Sequence, residues 1–312
     1  MKKNSTILVT GSSGMVGSQL VKKMKELGYK NLLTPTSKEL NLKNQALTSF
    51  YFLQKKPEYV FHLAAKVGGI QANIDNPVSF LEDNLLININ LFKFCYLHNV
   101  KKVLYLGSSC IYPKECKQPM KEEYLLSGKL EDTNEGYALA KIIGLKLAKY
   151  YYQEFGLKTV CLMPSNIYGT NDNYNIKKSH VMAALIKKFV DARDENKKTV
   201  TLWGDGSSRR EFIHVDDIVN AILYMFKKVN NPEIINIGTG VDCTIKDLAN
   251  VVAYYCNYKG KIIWDKTKPN GMRQKLLDIS KMKELGFKSK NGMLEKISKT
   301  IKEYEKMKVG EK

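Results

Sequence analysis

Residues 5–17 read Ser5-Thr6-Ile7-Leu8-Val9-Thr10-Gly11-Ser12-Ser13-Gly14-Met15-Val16-Gly17. A short apolar, β-branched run enters three glycines spaced G-x-x-G-x-x-G, and a helical pattern follows from Met15 to Leu27, stopping at Gly28. Glycines at such a strand-to-helix turn permit a tight bend, close approach of backbone N–H groups to a pyrophosphate, and close helix–strand packing. The spacing is not the G-x-G-x-x-G of the standard dinucleotide fingerprint, but strand, turn and helix come in the order it requires. Gly11, Ser12, Ser13, Gly14, Met15 and Val16 are therefore the expected contacts of a dinucleotide.

The alternation started by this segment continues to about residue 165. Strands are predicted at Asn31 to Thr34, Tyr59 to Leu63, Val103 to Leu106 and Thr159 to Met163. Helices are predicted at Ala46 to Gln54, Ser79 to His98 and Tyr137 to Phe155. Such alternation implies an α/β fold, a Rossmann-type doubly wound parallel sheet with helices on both faces. Beyond it, short strands (Val200 to Leu202, Glu211 to Ile213, Ile234 to Ile237, Ile262 to Trp264) mix with helices (Val181 to Ala192, Val215 to Lys227, Ile245 to Cys256) and a terminal helix over Leu294 to Lys312. The expected organisation is a dinucleotide-binding domain over 1–165, with 213–237 returning to it. A smaller mixed α/β lobe for the substrate takes 166–212 and 238–312.

The chain has 312 residues, 44% of them hydrophobic, which excludes a disordered segment. Its formal net charge is +19, yet only four of its 50 cations are Arg: Arg193, Arg209, Arg210 and Arg273. Nucleic-acid readers lean on clustered Arg, so a Lys-rich solvated surface that draws in anionic substrates is expected. No nucleic-acid partner is. No apolar run reaches the roughly 20 residues of a membrane helix. No signal-peptide pattern opens the chain, so a cytoplasmic protein is expected. The six cysteines form no C-x-x-C pair and no His cluster has metal spacing, so no metal site is expected.

An acid at the end of the second strand would read the ribose of NAD, whereas cations there read the 2′-phosphate of NADP. That region is Leu33-Thr34-Pro35-Thr36-Ser37-Lys38, with no acid and with Lys38 as its cation. NADP(H) is the expected cofactor. The fourth strand ends in Gly107-Ser108-Ser109-Cys110-Ile111-Tyr112-Pro113, and Tyr137-Ala138-Leu139-Ala140-Lys141 opens a helix. Tyr and Lys four apart share a helix face. A free Tyr has a pKa of about 10, and a nearby ammonium is expected to lower it. With Ser108 bonding the same carbonyl oxygen, Tyr137 and Lys141 can protonate an oxygen as hydride reaches its carbon.

Coupled to the glycine turn, this constellation resembles the extended short-chain dehydrogenase/reductase family. Further segments narrow the likeness: Ala64 to Asn73, Leu106 to Pro113, Gln118-Pro119-Met120, Thr133 to Tyr137, Pro164 to Gly169, Asp172-Asn173, Ser179-His180-Val181, Trp203-Gly204 with Arg210 to Asp217, and Asn236 to Ile245. They are similar to the GDP-L-fucose synthase family, whose members epimerise GDP-4-keto-6-deoxymannose at C3 and C5 and reduce it at C4. The resemblance implies Cys110 and His180 as base and acid for the epimerisation, beside Ser108, Tyr137 and Lys141 for the reduction. It implies cofactor contacts from Ala64, Ala65, Leu106, Gly107, Lys141, Pro164, Asn166 and His180. Asn166, Lys188, Trp203, Arg210 and Lys275 would hold a GDP-linked 4-keto sugar, and the two long helices would pair two chains in a homodimer. The chemistry is consistent: a thiol pKa near 8.5 comes within reach of a base role when charges favour thiolate, and a His near 6.5 can supply a proton.

The chain departs from the family pattern where Ser13 and Ser37 replace arginines, Gly136 replaces a Pro before Tyr137, and Ala183 replaces a Pro after Ser-His-Val. The last two changes are expected near the sugar, where they would suit a GDP-4-keto heptose or a C4 reductase acting after a separate epimerase. A 4,6-dehydratase is disfavoured because Cys110-Ile111 stands where that class has Asp-Glu. A non-catalytic regulator is disfavoured because Tyr137 and Lys141 are both intact.

Overall fold

The structure is a computed structural model and describes residues 1–176, 179–268, 271–289 and 292–310. In its first half the elements are β1 (Ile7–Thr10), α1 (Met15–Glu26), β2 (Leu32–Leu33), α2 (Gln45–Lys55), β3 (Tyr59–His62), α3 (Ile70–Asp75), α4 (Pro77–Leu97), β4 (Lys102–Leu106), α5 (Glu135–Phe155) and β5 (Thr159–Pro164). There follow β6 (Asn166–Tyr168), α6 (Val181–Asp194), β7 (Thr199–Trp203), β8 (Arg209–His214), α7 (Val215–Lys228) and β9 (Ile234–Ile237). Last come β10 (Asp242–Thr244), α8 (Ile245–Tyr255), β11 (Lys261–Asp265), β12 (Gln274–Lys275), α9 (Ser280–Glu284) and α10 (Met293–Gly310).

Strands β2, β1, β3, β4, β5 and β9 form one parallel sheet in that order. Every residue of β1, β4 and β5 is buried. This is why the interiors of those strands, Ile7 to Val9, Val103 to Leu106 and Val160 to Met163, read as continuous apolar runs rather than alternating ones: a parallel sheet covered on both faces leaves no solvent side to alternate with. Helix α4 packs along α5, and α1 packs along α7. The fold is a doubly wound α/β sheet. From β1 the chain moves outward to β2 and then crosses back to β3, so the strand order reverses between the ends of β1 and β3. In open α/β sheets ligands bind at that reversal.

The smaller lobe is mixed. Strand β8 pairs with β10, β12 and β6, and β7 pairs with β11 in parallel. Helices α6, α8 and α10 close a second core around Phe189, Ile186, Val252 and Ile301. The sequence reading did not separate α3, β6, β10, β12 or α9; each is at most six residues long. The terminal helix was expected to reach Lys312, and residues 311 and 312 lie outside the described residues. No helix among the described residues is long and apolar enough to cross a membrane.

Candidate active site

Gly11 takes φ +70, in the left-handed region, and a Cβ there would stand 2.8 Å from the backbone nitrogen of Ala64. At Gly17 a Cβ would stand 2.1 Å from the Gly11 carbonyl oxygen. The turn thus closes only on glycine. Gly14 is the N-cap of α1 and offers no side chain to it, leaving the helix's first N–H groups for an anion. Met15 and Val16 follow along the wall of a cavity of about 1320 Å³ that runs from this turn to Trp203 and Trp264. These features fit the pyrophosphate of a dinucleotide.

All sequence-predicted site residues line that cavity except Ser12 and Lys38. Lys38 is exposed on the turn after β2, outside the wall. Ser37 and Lys43 line it instead. Lys43 is held by Asp83 at 3.0 Å, and Asp83 also holds Lys66 at 3.0 Å. The turn between Pro35 and Leu40 points its cation away, a detail that residue type alone does not encode.

At the end of β4 the chain turns into a short 3-10 segment over Ser109–Ile111, with the Ser108 hydroxyl accepting from the Cys110 N–H at 3.2 Å. This turn sets Ser108 and Cys110 on the cavity wall facing the first turns of α5, from which Tyr137 and Lys141 project. Ser108 stands close enough to Tyr137 to lower its phenol pKa. Lys141 is 5% exposed, donates to the Leu106 carbonyl at 2.8 Å, and stands 5.9 Å from the centre of the Tyr137 ring.

The electrostatics correct one expectation. Burial pushes the Tyr137 phenol well above its ordinary value, the Cys110 sulphur adds to this, and only the Ser108 hydroxyl lowers it. Lys141 does not bring it down, because its ammonium is turned to Leu106 and is itself pushed down to about 8 by burial. Tyr137 therefore rests as a phenol, the form needed to give a proton.

Cys110 receives Asn134 Nδ2 at 3.3 Å and Lys275 Nζ at 3.5 Å. Burial raises its thiol, but the Lys275 charge and the bonds from Ser108, Lys275 and Asn134 outweigh this and hold it below the ordinary range. Lys275, expected to hold the GDP-linked sugar, lines the cavity and reaches the thiol. Asn134 was missed, although it lies three residues before Tyr137 in a quoted segment. His180 is the N-cap of α6, opens to the cavity, and is lowered by burial and then by Lys275. Arg210 donates to the Arg209 carbonyl at 2.8 Å, and burial lowers it. Lys188 donates to the Thr201 carbonyl at 3.0 Å. Trp203 is 52% exposed, with the Lys268 ammonium 5.8 Å from the centre of its ring.

Two departures lie just off the cavity wall. Gly136 faces α4, where a Cβ would stand 3.2 Å from the Pro77 carbonyl and 3.3 Å from Leu81 Cβ, and it is not on the cavity wall. Ala183 is fully buried and also off the wall, whereas its neighbours Met182, Ala184 and Leu185 line it. Neither position lines the cavity, although both adjoin residues that do.

The chain matches the model of the NAD dependent epimerase/dehydratase family over residues 7–238. It is 44% identical to GDP-L-fucose synthase 1 of Arabidopsis thaliana over 302 residues, covering 97% of this chain and 94% of that one. It is 43% identical to the GDP-L-colitose synthase of Yersinia pseudotuberculosis, covering 94% and 96%. Among solved structures it is similar to a GDP-mannoheptose C4 reductase from Campylobacter jejuni with NADP bound, at 34% identity and a TM-score of 0.90, covering 98% and 99%. With its glycine cradle at the sheet's reversal point and its Ser108, Tyr137 and Lys141 beside it, this chain belongs to the NAD dependent epimerase/dehydratase family.

Proposed function

We propose that the protein is an NADP-dependent oxidoreductase that reduces a GDP-4-keto-6-deoxy sugar at C4, coupled to epimerisation at C3 and C5, and yields a GDP-L-sugar such as GDP-L-fucose. The observation that carries this is a thiol beside a Ser–Tyr–Lys set: Cys110 shares the turn after β4 with Ser108, and both adjoin Tyr137. Nearly full-length relatives named GDP-L-fucose synthase support it.

Protons at C3 and C5 are acidic because both neighbour the C4 ketone. The Cys110 thiolate takes one, forming an S–H bond as the C–H electron pair moves into an enolate. His180 returns a proton to the other face. Its imidazole is held low, and the anionic pyrophosphate and enolate of the substrate favour its charged, proton-giving form. When bound at the cradle, NADPH supplies hydride for C4. Tyr137 then gives its phenolic proton to O4, Ser108 bonds the same oxygen, and Lys141 stabilises the phenolate left behind. Arg210 and Lys188 meet the diphosphate, and Trp203 offers a stacking face to the guanine.

The test is reaction of the purified protein with GDP-4-keto-6-deoxymannose and NADPH in heavy water. Deuterium at C3 and C5 of a reduced L-sugar is expected. Reduction without deuterium would leave a C4 reductase that follows a separate epimerase, and no reduction at all would refute the assignment. The exposed apolar residues Leu86, Ile89, Tyr96 and Leu97 of α4 and Ile143 and Tyr150 of α5 support a homodimer through these helices. Sedimentation showing a monomer at micromolar concentration would reject it. Six free cysteines support a reducing, cytoplasmic setting, which subcellular fractionation would check.

A further inference from the structure

Asn134 holds the N-cap position of α5, where an Asn side chain ordinarily accepts a first-turn N–H. It makes no such bond. Its amide nitrogen is given to the Cys110 sulphur at 3.3 Å, and the Lys275 ammonium approaches the same atom at 3.5 Å. A thiol sulphur is a weak acceptor, whereas a thiolate attracts amide and ammonium donors together. Lys275 is set in place from behind. β12 lies beside β8, with Lys275 opposite Arg210. Two residues on, the Leu277 N–H donates to the buried Glu211 carboxylate at 2.9 Å, and the Leu276 N–H donates to Gln118 Oε1 at 2.9 Å.

We infer that Asn134 and Lys275 are positioning residues forming a two-donor cradle that keeps the Cys110 sulphur ionised and fixed on the cavity wall. The inference rests on the proposed use of Cys110 as a carbon base. Other groups facing the sulphur are Tyr137 and Lys141 from α5, Arg210 from β8 and the Ser108 hydroxyl. Lys275 is the largest of the influences that favour thiolate, and burial opposes it. The base is thus assembled from both lobes: sulphur and amide from the sheet side, ammonium from the substrate side.

The test reads the thiol directly. Alkylation of Cys110 by iodoacetamide is followed against pH by peptide mass spectrometry, which separates it from the other five cysteines. Lys275→Met should move the midpoint up by about one pH unit or more, so that alkylation at a pH below the wild-type midpoint slows roughly tenfold. Lys275→Arg should restore most of the rate, which separates lost charge from lost fold. Asn134→Ala should give a smaller rise, and Asn134→Asp a larger one, since a carboxylate placed at the sulphur repels thiolate. Unchanged midpoints in Lys275→Met and Asn134→Asp would overturn the cradle. With the 4-keto sugar in heavy water, the pH midpoint of C3/C5 exchange should move with the thiol midpoint. If the thiol midpoint moves but the wild type exchanges nothing, the cradle stands and the carbon-base reading falls.

Discussion

Lys141 is a cation buried to 5% exposure without a carboxylate, its ammonium held by one carbonyl. Burial brings it from the ordinary lysine value of 10.5 to about 8. At about 1.4 kcal/mol per tenfold, that gap costs the folded state on the order of 3 kcal/mol at neutral pH. The sign follows from proton counts. Below about pH 8 both folded and unfolded chains carry the proton and the full cost is present. Between about 8 and 10.5 the folded chain has lost the proton and the unfolded chain keeps it, so stability rises with pH through that window. Lys141→Met removes the titration together with the hydrogen bond to Leu106, whose loss costs about 1–3 kcal/mol. At pH 7 the two effects oppose each other and leave a small net change. Between pH 7 and pH 10 the wild type should gain about 2–3 kcal/mol relative to the variant. Urea denaturation of both proteins at half-unit pH steps reads this difference. Parallel curves would refute the reasoning, because they would mean that Lys141 titrates alike in both states. Reduction by the wild type should also decline as pH rises through about 8, where the cation behind Tyr137 is lost.

Tyr137→Phe should lower reduction about 10²- to 10⁴-fold while NADPH fluorescence titration shows cofactor affinity unchanged; undiminished turnover would remove Tyr137 from the chemistry. Gly17→Ala puts a methyl 2.1 Å from the Gly11 carbonyl, so NADPH affinity should fall at least about tenfold and stability by about 1–3 kcal/mol; normal binding would mean that the turn has room to open. Ser37→Arg adds a bidentate phosphate reader on the cavity wall. The ratio of kcat/KM for NADPH over NADH should rise about tenfold, a gain of about 1.4 kcal/mol, and an unchanged ratio would place the 2′-phosphate elsewhere.

The main sheet was legible because its signals are steric and local. Gly11 and Gly17 have no alternative residue, and β1, β4 and β5 are apolar except at their ends (Thr10, Lys102 and Thr159) because helices cover both their faces. The ends of α4 also follow from local rules: the helix begins at Pro77 rather than Ser79, as a proline at the first position allows. What sequence did not yield was direction. Lys38 and Lys43 are the same residue type five positions apart, and only the path of the turn decides which reaches the cavity. Helical phase would have placed Gly136 and Ala183 correctly. Tyr137 and Lys141 share the cavity face of α5 at i and i+4, so Gly136 is rotated off it toward α4. Ala184 and Lys188 mark the cavity face of α6, whereas Ala183, Ile186 and Val190 mark its core face. Asn134 and Lys275 meet at one sulphur from positions 141 residues apart, bridged by a two-residue strand too short to carry a periodic signal.

That division of origin bears on how the two chemistries are joined. Ser108, Tyr137 and Lys141 come from the turn after β4 and from α5, elements packed into the first core. Cys110 sits on the same rigid turn, but its leading partner for ionisation arrives on β12, which is tied to β8 and to the Glu211 carboxylate. His180 likewise opens α6 of the smaller core. On the proposed roles, reduction draws on the sheet alone, and epimerisation draws on the sheet and the second lobe together. A change confined to Lys275 or its Glu211 anchor would weaken carbon-acid chemistry while leaving the hydride-receiving geometry standing. Cysteine and histidine can thus both be present in a chain that only reduces. The residue to inspect in related chains is the cation facing the thiol, because it is the largest of the influences that oppose burial at that sulphur.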